Sequence, residues 1–403
     1  MSNWEKVKIK DVCNIVNGGT PKTSVEEYWN SEDVVWITPT DITQLNSKYI
    51  SDSSRKISTK GLSESSATLL PVGSVLMCSR ATIGPCAINT IPVSTNQGFK
   101  SFICSERINN EYLYYLISIL KEYFIDNASG STFLEVSKSV VENCELLLPP
   151  LKEQQKIAEI LSSVDAAIAK TEQVIAKTEE VKKGLMQQLL TKGIGHTEFK
   201  QTEIGEIPTE WEVKSGEELF RIVSGYSPSA VTDLIENGSI LFLKVNDFNN
   251  NRMYIKQSAL YFEEDNNPKI KYYNPGTIIF PKRGAAIFTN KIAILSKKAA
   301  FDTNIMGLEC NHLINNQFLY FYLKNYELSN ISDNSGVPQL NNKHINPLLI
   351  PVPSLNEQIK IVENIQCFEM KLEKELLYLE QLVKIKQGLM QQLLTGQVRV
   401  KID

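Results

Sequence analysis

Two arginines at matched places in the chain offer the strongest binding chemistry. Arg80 follows the apolar run at residues 74–78, and Arg283 follows a similar run at residues 277–280. Residues 65–105 around Arg80 and residues 266–301 around Arg283 contain no Asp or Glu. A guanidinium without a sequence-near acid suits an anionic ligand, because its fixed fork of donors matches phosphate oxygens. A structural salt bridge is the alternative for both arginines.

The second acid-free stretch is also rich in bases. It holds Lys269, Lys271, Lys282, Arg283, Lys291, Lys297 and Lys298. A local basic face is what phosphate contact requires, and the formal net charge of −4 for the whole chain does not exclude it. A solvated strand face on which bases happen to cluster is the alternative.

Four kinds of polar segment recur in both halves of the chain. We name them loop A (18–22 and 225–228), loop B (38–41 and 244–247), loop C (79–82 and 282–284) and loop D (129–132 and 335–339). Their side chains are of the types that contact base edges and phosphates. With two nearby lysines, the candidate contacts are Thr20, Lys22, Thr38, Thr40, Arg80, Thr82, Lys100, Ser131, Thr132, Ser227, Lys244, Asn246, Lys282, Arg283, Lys291 and Gln339. Ordinary turn chemistry is the alternative for each loop, and it is the better explanation of Gly18 and Gly225.

Motifs for catalysis are missing. No phosphate-cradling GxxxxGK[ST] loop occurs, and the three histidines, His196, His312 and His344, form no cluster with metal-ligand spacing. The segment Asn-Pro-Gly-Thr at 274–277 lacks the second proline and the aromatic residue of an adenine-methyltransferase motif. We therefore predict no catalytic residue, no metal site and no cofactor in this chain.

The elements that position these loops are duplicated. The octapeptide Gly-Leu-Met-Gln-Gln-Leu-Leu-Thr occurs at residues 184–191 and again at 388–395, an offset of 204 residues (388 − 184). Matched segments cover almost all of the 403 residues, with high identity from Pro150 to Thr191 and its copy, and low identity before each. This pattern predicts a tandem repeat that combines a fixed frame with two diverged heads.

The frame consists of two predicted helices with a heptad seam. Residues 151–191 contain no proline, and apolar or small residues recur at alternating spacings of four and three. The seam residues are Ile157, Leu161, Val164, Ile168, Ile175, Leu185 and Leu189, and in the copy Ile361, Ile365, Phe368, Leu372, Leu379, Leu389 and Leu393. Both copies place a lysine, Lys182 or Lys386, on this seam. We predict an antiparallel coiled coil; an amphipathic helix lying on a globular core is the alternative.

The heads alternate short strands with helices. Apolar runs at 34–37, 74–78 and 99–103 predict strands, residues 111–123 predict a helix, and the second half repeats the order. The predicted fold class is α+β, with two globular heads separated by two long helices and an internal pseudo-two-fold repeat. The predicted domains are 1–150, the helical region 151–200, 201–354, and the helical region 355–403.

The cysteines and the hydropathy indicate a cytoplasmic protein. The seven cysteines are scattered and form no CxxC motif, which favours reduced thiols. No apolar run approaches the ~20 residues that a membrane span requires. We therefore expect no membrane partner.

These features together resemble the specificity subunit of type I restriction–modification systems. The resemblance covers the full chain and rests on the two heads, the repeated helices and three motifs. The motifs are Leu-Pro-Pro-Leu-Lys-Glu-Gln-Gln-Lys-Ile-Ala-Glu-Ile-Leu at 148–161, Ile-Gly-Glu-Ile-Pro-Thr-Glu-Trp-Glu-Val at 204–213, and Leu-Met-Gln-Gln-Leu-Leu-Thr-Gly at 389–396.

The resemblance implies a division of labour. The heads would be target recognition domains, each reading one half of a split, asymmetric site in double-stranded DNA. The helices would space the heads and bind two methyltransferase subunits, through which restriction subunits would join. S-adenosylmethionine, ATP and Mg²⁺ would act in those partners. A self-contained DNA-modifying enzyme and a coiled-coil adaptor that never binds DNA are the rival functions.

Overall fold

The computed structural model describes residues 4–130, 133–249, 253–333 and 336–401. The chain divides into two compact units. The first unit joins residues 1–173 with 377–403, and the second comprises residues 174–376. Each unit therefore contains one head together with part of each long helix.

The first unit opens with a mixed set of strands and helices. Their bounds are β1 Glu5–Lys8, β2 Cys13–Asn17, β3 Val34–Ile37, α1 Pro39–Thr43, β4 Tyr49–Ile50, β5 Lys56–Ile57, α2 Thr59–Ser63, β6 Val75–Cys78, β7 Cys86–Asn89, β8 Ser94–Thr95, β9 Phe99–Cys104, α3 Asn110–Ile119, α4 Lys121–Asp126, α5 Lys138–Asn143 and β10 Glu145–Leu148. The predicted strands match β3, β6 and β9. The helix predicted over 111–123 is two helices, since α3 ends at Ile119 and α4 begins at Lys121.

After the first long helix, α6 Leu151–Lys192, the second unit repeats this order. Its elements are β11 Phe199–Thr202, β12 Gly205–Pro208, β13 Glu212–Ser215, α7 Gly216–Leu219, β14 Phe220–Ser224, β15 Ile240–Leu243, β16 Tyr254–Ile255, β17 Leu260–Phe262, β18 Ile278–Pro281, β19 Ala293–Leu295, β20 Ala299–Phe301, β21 Ile305–Cys310, α8 Asn316–Tyr326, α9 Asn342–Ile345, β22 Leu349–Val352 and α10 Leu355–Leu394.

The two heads have the same sheet topology. The first has a five-stranded sheet of order β2-β9-β6-β7-β4 and a three-stranded sheet of order β5-β3-β8. The second has the orders β14-β21-β18-β19-β16 and β17-β15-β20. In each head a further pair, β1 with β10 or β13 with β22, joins the start of the head to the strand before a long helix. The repeat is thus structural as well as sequential, and the α+β class is confirmed.

A buried glutamine fixes the start of each long helix to its head. Gln154 donates from Nε2 to the carbonyl oxygens of Pro149 and Arg107, at 2.8 and 2.9 Å, and accepts the Asn109 amide at 2.8 Å. Gln358 makes the same set of bonds in the second unit, including the Asn315 amide at 2.7 Å. Both glutamines are fully buried. Gln154 and Gln358 therefore form matching joints between each head and its long helix.

The helices run antiparallel within each unit. In the first unit Asp165 of α6 pairs with Lys386 of α10, and Glu153, earlier in α6, pairs with Arg399, which follows α10. In the second unit Lys182 of α6 pairs with Glu369 of α10, while His196, which follows α6, lies against Glu357 near the start of α10. As the residue number rises along α6, the residue number of its partner on α10 falls, which confirms the predicted antiparallel packing.

The seam residues pack as predicted, and the helix ends complete the cores of the heads. Every predicted seam residue is buried or half-buried. Leu161 and Leu393 belong to the core of the first unit, while Leu189 and Ile361 belong to that of the second. Each core thus takes the start of one long helix and the end of the other. Among the described residues, no helix is long and apolar enough to cross a membrane.

Candidate nucleic-acid interface

In the first head, loop C contacts residues 134–136, which follow loop D. The Val136 amide donates to the Ser79 carbonyl at 2.9 Å, and the Ala81 amide donates to the Leu134 carbonyl at 2.9 Å. Arg80 lies between these bonds and forms an isolated bridge with Glu135. Two segments more than 45 residues apart in sequence are thereby held side by side at the end of β6.

The second head repeats these contacts. The Leu340 amide donates to the Lys282 carbonyl at 2.9 Å, and the Gly284 amide donates to the Pro338 carbonyl at 2.9 Å. Arg283 forms the matching bridge with Gln339. The two arginines singled out in the sequence therefore occupy equivalent positions.

A left-handed residue follows each arginine. Ala81 has φ 61° and Gly284 has φ 74°. Glycine adopts this conformation without strain, whereas alanine does so at a cost in energy. Since both heads keep the same turn despite different residues, the turn belongs to the architecture of loop C.

Loops A, B and C are joined in the first head by residues 95–98. The Gly19 amide donates to the Thr95 carbonyl at 2.9 Å, the Asn96 amide to the Ile37 carbonyl at 3.0 Å, and the Ser79 amide to the Gly98 carbonyl at 2.7 Å. Backbone bonds therefore hold the loops side by side, and we call their combined face the polar surface, although Phe133 and Leu134, which follow loop D, are exposed there too. Asn96 and Gln97 belong to it but were absent from the predicted contacts. A Thr-Asn pair occurs at 95–96 and at 303–304, but the structural counterpart of Asn96 is Asp302, because their amides donate to the matching carbonyls of Ile37 and Leu243.

The second head joins its loops through residues 301–304. The Tyr226 amide donates to the Phe301 carbonyl at 2.8 Å, the Asp302 amide to the Leu243 carbonyl at 2.9 Å, and the Lys282 amide to the Asn304 carbonyl at 2.8 Å. The same polar surface is thus built twice, once in each unit.

Lys100 is a buried lysine that bonds to other protein groups, which its acid-free sequence neighbourhood did not indicate. It is only 5% exposed, and its Nζ donates to Ser79 Oγ at 3.4 Å and to Glu135 Oε1 at 3.2 Å. Its ammonium therefore faces the protein, so the position is wrong for a direct DNA contact. Glu135 lies outside the acid-free stretch and is brought to Lys100 only by the fold.

Arg80 and Arg283 differ in their surroundings. Arg80 is exposed, with its Nε 3.8 Å from Glu135 Oε2 and its guanidinium over the Phe133 ring. In the part of the chain that the structure describes, no carboxylate pairs with Arg283, which is also exposed. The salt-bridge alternative therefore applies in part to Arg80, and Arg283 keeps its charge available for a ligand.

The basic run of the second head is divided between two ends of a sheet. Lys282 and Arg283 follow β18, and because β19 runs antiparallel to β18, Lys291 lies at the same end. Lys297 and Lys298 follow β19 and lie at the opposite end. Burial, and then the neighbouring charge of Arg283, lowers the pKa of Lys282. Positive charge is thus crowded at the end of the sheet that carries loop C.

The other predicted contacts fall into three groups. The exposed ones are Lys22, Thr40, Thr82, Ser227 and Asn246. The half-buried ones are Thr20, Thr38, Lys244, Lys282, Lys291 and Gln339. Ser131 and Thr132, with Ser335 of loop D, lie outside the described residues.

Three of the half-buried contacts also serve the fold. Thr20 Oγ1 donates to Gln97, which ties loop A to residues 95–98. Thr38 and Lys244 precede matching turns, and their amides donate to the carboxylates of Asp41 and Asp247, each at 2.7 Å. In loop B, Thr38 and Lys244 therefore stabilise the turns that follow them, and the exposed side chains of Thr40 and Asn246 are the ones free to contact a ligand.

The described residues contain no group of three or more His, Cys, Asp or Glu side chains that could hold a metal ion. Beside the exposed apolar side chains of Phe133, Leu134 and Val337, the surface carries hydrogen-bond donors and acceptors with cations next to them. Such a surface can bind the backbone and base edges of a nucleic acid.

A family of proteins shares this organisation. The type I restriction modification DNA specificity domain matches residues 1–180 and again residues 208–381. The chain belongs to this family. It is a specificity subunit of the type I restriction–modification class, and it recognises DNA sequence.

Curated relatives agree with this assignment over nearly their whole length. The type I restriction enzyme MjaIX specificity subunit of Methanocaldococcus jannaschii is 30% identical over 421 residues, covering 99% of this chain and 94% of the relative. The MjaVIII specificity subunit of the same organism is 27% identical over 99% of this chain and 94% of its own. The prediction of a non-catalytic specificity subunit is confirmed by these relatives.

Solved structures show the same fold. The type I restriction–modification S subunit from M. genitalium aligns with a TM-score of 0.57 at 15% identity, over 100% of this chain and 97% of that one. A chain from a structural study of complex assembly and conformational transition of the type I R-M system aligns with a TM-score of 0.62 at 17% identity, over 99% of both chains. The two-headed architecture with long helices is thus that of known S subunits.

Proposed function

We propose that this specificity subunit reads a bipartite, asymmetric site in double-stranded DNA. Residues 1–150 and 201–354 would be the two target recognition domains, and 151–200 and 355–403 the helical regions between them. The observation that carries the proposal is the repeated polar surface of loops A to D. Its backbone bonds are the same in both heads, whereas its side chains differ, as with Glu135 and Gln339. The same loop backbone with different side chains in the two heads suits two half-sites of different sequence.

The contacts we propose follow from exposure and charge. Arg80 and Arg283 would reach base edges or phosphates from loop C, with Lys282 and Lys291 adding positive charge in the second head. Thr40 and Asn246 of loop B would contribute beside them. Lys22, Thr82 and Ser227 are exposed donors at the edges of the same surfaces. Phosphate contacts would supply affinity, and base contacts would supply sequence preference.

The helical regions would scaffold two methyltransferase subunits, and restriction subunits would join through these. Each unit presents the start of one long helix beside the end of the other, so a partner would meet equivalent surfaces in both. The repeated octapeptide supports this role: its two glutamines, Gln187 and Gln188, are exposed in α6, and so are Gln391 and Gln392 in α10. Packing in the core does not require exposed side chains to be identical, whereas binding the same partner twice does. S-adenosylmethionine, ATP and Mg²⁺ would belong to those partners.

Sequencing of DNA methylation in the host, with and without this gene, tests the proposal. The expected result is a two-part methylated motif with a fixed gap that disappears on deletion and returns with the gene. Substitutions in loop C of one head should alter one part of the motif only. A methylation pattern that does not change on deletion would contradict the proposal.

The rival of a self-contained enzyme is tested on the purified chain. With S-adenosylmethionine and host DNA, the chain alone should transfer no methyl group, and with Mg²⁺ it should cut no DNA. The complex copurified through a tag on this chain is the positive control. Turnover that persists after every partner has been removed would support the enzyme instead.

A further inference from the structure

One position at the edge of loop D is equivalent in the two heads but differs in chemistry. Glu135 exchanges backbone bonds with Ser129, at 2.8 and 3.0 Å. Gln339 exchanges the same pair of bonds with Asp333, at 3.1 and 2.9 Å. Each also bridges to the arginine of loop C in its own head. The backbone is therefore conserved between the heads, and the side chain changes from a carboxylate to an amide.

A second position changes together with the first. Lys100 of β9 pairs with Met77 of β6, and Met306 of β21 pairs with Phe280 of β18, so Lys100 and Met306 are equivalent. Both side chains are buried, at 5% and 1% exposure. The head with the glutamate has a buried ammonium bonded to it at 3.2 Å, and the head with the glutamine has a neutral thioether in that place. The first head therefore combines a buried ammonium with a carboxylate, and the second combines a buried thioether with a neutral amide.

Glu135 keeps acceptor capacity that its protein partners do not use. Lys100 bonds to Oε1, while Oε2 lies 3.8 Å from Arg80 Nε, beyond hydrogen-bond distance. The Glu135 side chain is 38% exposed, so solvent or a ligand reaches it. A glutamate whose only function was to neutralise Lys100 would not need to stand at the surface between loops C and D.

We propose that residues 135 and 339 are base-reading positions, and that Lys100 is a positioning residue that holds the carboxylate of Glu135. This deepens the proposed function and depends on it. A carboxylate accepts from the N4 amino group of cytosine, whereas a glutamine amide pairs with N6 and N7 of adenine. The half-site of the first head therefore contains a cytosine read by Glu135, and that of the second head contains an adenine read by Gln339.

The equivalent positions in the two heads allow each residue pair to be replaced by the pair of the other head. Glu135→Gln with Lys100→Met installs in the first head the pair that the second head already uses. Gln339→Glu with Met306→Lys is the reciprocal change. Each double variant preserves the match between the surface and the buried residue, whereas Glu135→Gln alone would leave a buried ammonium without its carboxylate. Thermal unfolding of each variant verifies that it is folded.

The readout is selection of DNA duplexes from a randomised library by the complex copurified through a tag on the full-length chain. The wild-type complex should select a two-part motif. The first double variant should change one position of one part from cytosine to adenine, with a preference of about 5- to 150-fold, and leave the other part unchanged. The reciprocal variant should change one position of the other part from adenine to cytosine.

Single variants test the positioning role of Lys100. Lys100→Met should weaken the preference for cytosine at that one position, whereas Lys100→Arg, which keeps the positive charge, should preserve it. The other half-site should stay unchanged in both variants. A folded double variant that selects the wild-type motif would overturn the proposal and leave the proposed function intact. A wild-type complex that selects no motif would overturn the proposed function, and this inference with it.

Discussion

Lys386 of the second long helix pairs with Asp165 of the first at 2.6 Å. Shifted by the repeat offset of 204 residues, the same pair is Lys182 with Glu369, at 2.5 Å in the second unit. The seam lysines of the heptad pattern are therefore interhelical ion pairs. Each helix contributes the base in one unit and the acid in the other.

Reversing the charge at one end of this pair should destabilise the first unit. Lys386→Glu places two carboxylates together and should lower the free energy of unfolding by about 1 kcal/mol or less, since both partners are roughly 30% exposed and solvent screens them. Adding Asp165→Lys should recover most of the loss. A double-mutant cycle by chemical denaturation measures the coupling. Lys384→Glu is the matched control, because its partner Glu380 lies on the same helix and that pair is 69% and 60% exposed. Equal losses at both lysines would show that the interhelical pair has no special role.

Glu153 should make the first unit sensitive to acid. Its carboxylate is 1% exposed and accepts from Arg399 Nε and Nη2, each at 2.7 Å, and from Trp4 Nε1 at 3.2 Å. The Arg399 guanidinium holds the pKa of Glu153 below its ordinary value. A lowered pKa contributes stability above the unfolded value of about 4.3, and the contribution is lost as the pH falls through the folded pKa.

The variant Glu153→Gln measures this contribution. At pH 7 it should lose about 1.5–3 kcal/mol of unfolding free energy, the range for hydrogen bonds to charged groups. The difference from wild type should shrink below about pH 4, where the wild-type carboxylate is itself protonated. Glu5→Gln is the control: it loses an exposed pair with Arg107 and should change stability by about 0.5 kcal/mol at most. A gap between Glu153→Gln and wild type that is constant from pH 7 to pH 3 would disprove the assignment.

The helical frame was readable from sequence because its packing is local and periodic. Ile157 and Leu161 lie one turn apart on one helix face, so their spacing alone predicts a buried seam. The strand at 34–37 was readable because its apolar residues are consecutive in sequence. The order of the sheets was not, since β9 lies between β2 and β6 and pairs segments more than 20 residues apart.

The equivalent placement of Arg80 and Arg283 was predictable, because an arginine after a strand at repeated positions is a local pattern; their role in binding stays a prediction. Lys100 was wrong as a direct contact for a non-local reason. An acid-free stretch shows only sequence neighbours, whereas Glu135 reaches Lys100 through the contact of loop C with residues 134–136. Glu135 itself was missed because it lies three residues beyond the polar segment 129–132.

Arg283→Ala should weaken DNA binding by the assembled complex. If Arg283 reads a guanine, we expect a loss of ~1–3 kcal/mol that is confined to one half-site. If it contacts a phosphate, the loss should be general and the salt dependence of binding shallower. Binding to duplexes with and without each half-site, over a range of salt concentrations, separates these outcomes. Arg221→Ala is the control, because Arg221 is paired with Glu309. Unchanged affinity at moderate salt would show that Arg283 is structural.

The length of the helices should set the gap between the two half-sites. Helix α6 is unbroken over its 42 residues and connects the two heads. Inserting four residues after Thr178 adds ~6 Å of helix, at ~1.5 Å per residue. A matched insertion after Leu382 preserves the packing of the seam. The methylated motif should keep both parts and gain one to two base pairs between them, at ~3.4 Å per base pair. An active variant with the original gap would show that another element measures the distance.

The repeated octapeptide completes two different cores. Leu189 and Leu190 are buried in the second unit, and Leu393 and Leu394 are buried in the first. Since both cores accept the same eight residues, a crossover within this segment between two such genes would keep the buried leucine pair at the end of each long helix. Under the proposed function, such a crossover would create a new pairing of heads, and with it a new two-part specificity, in a single recombination event.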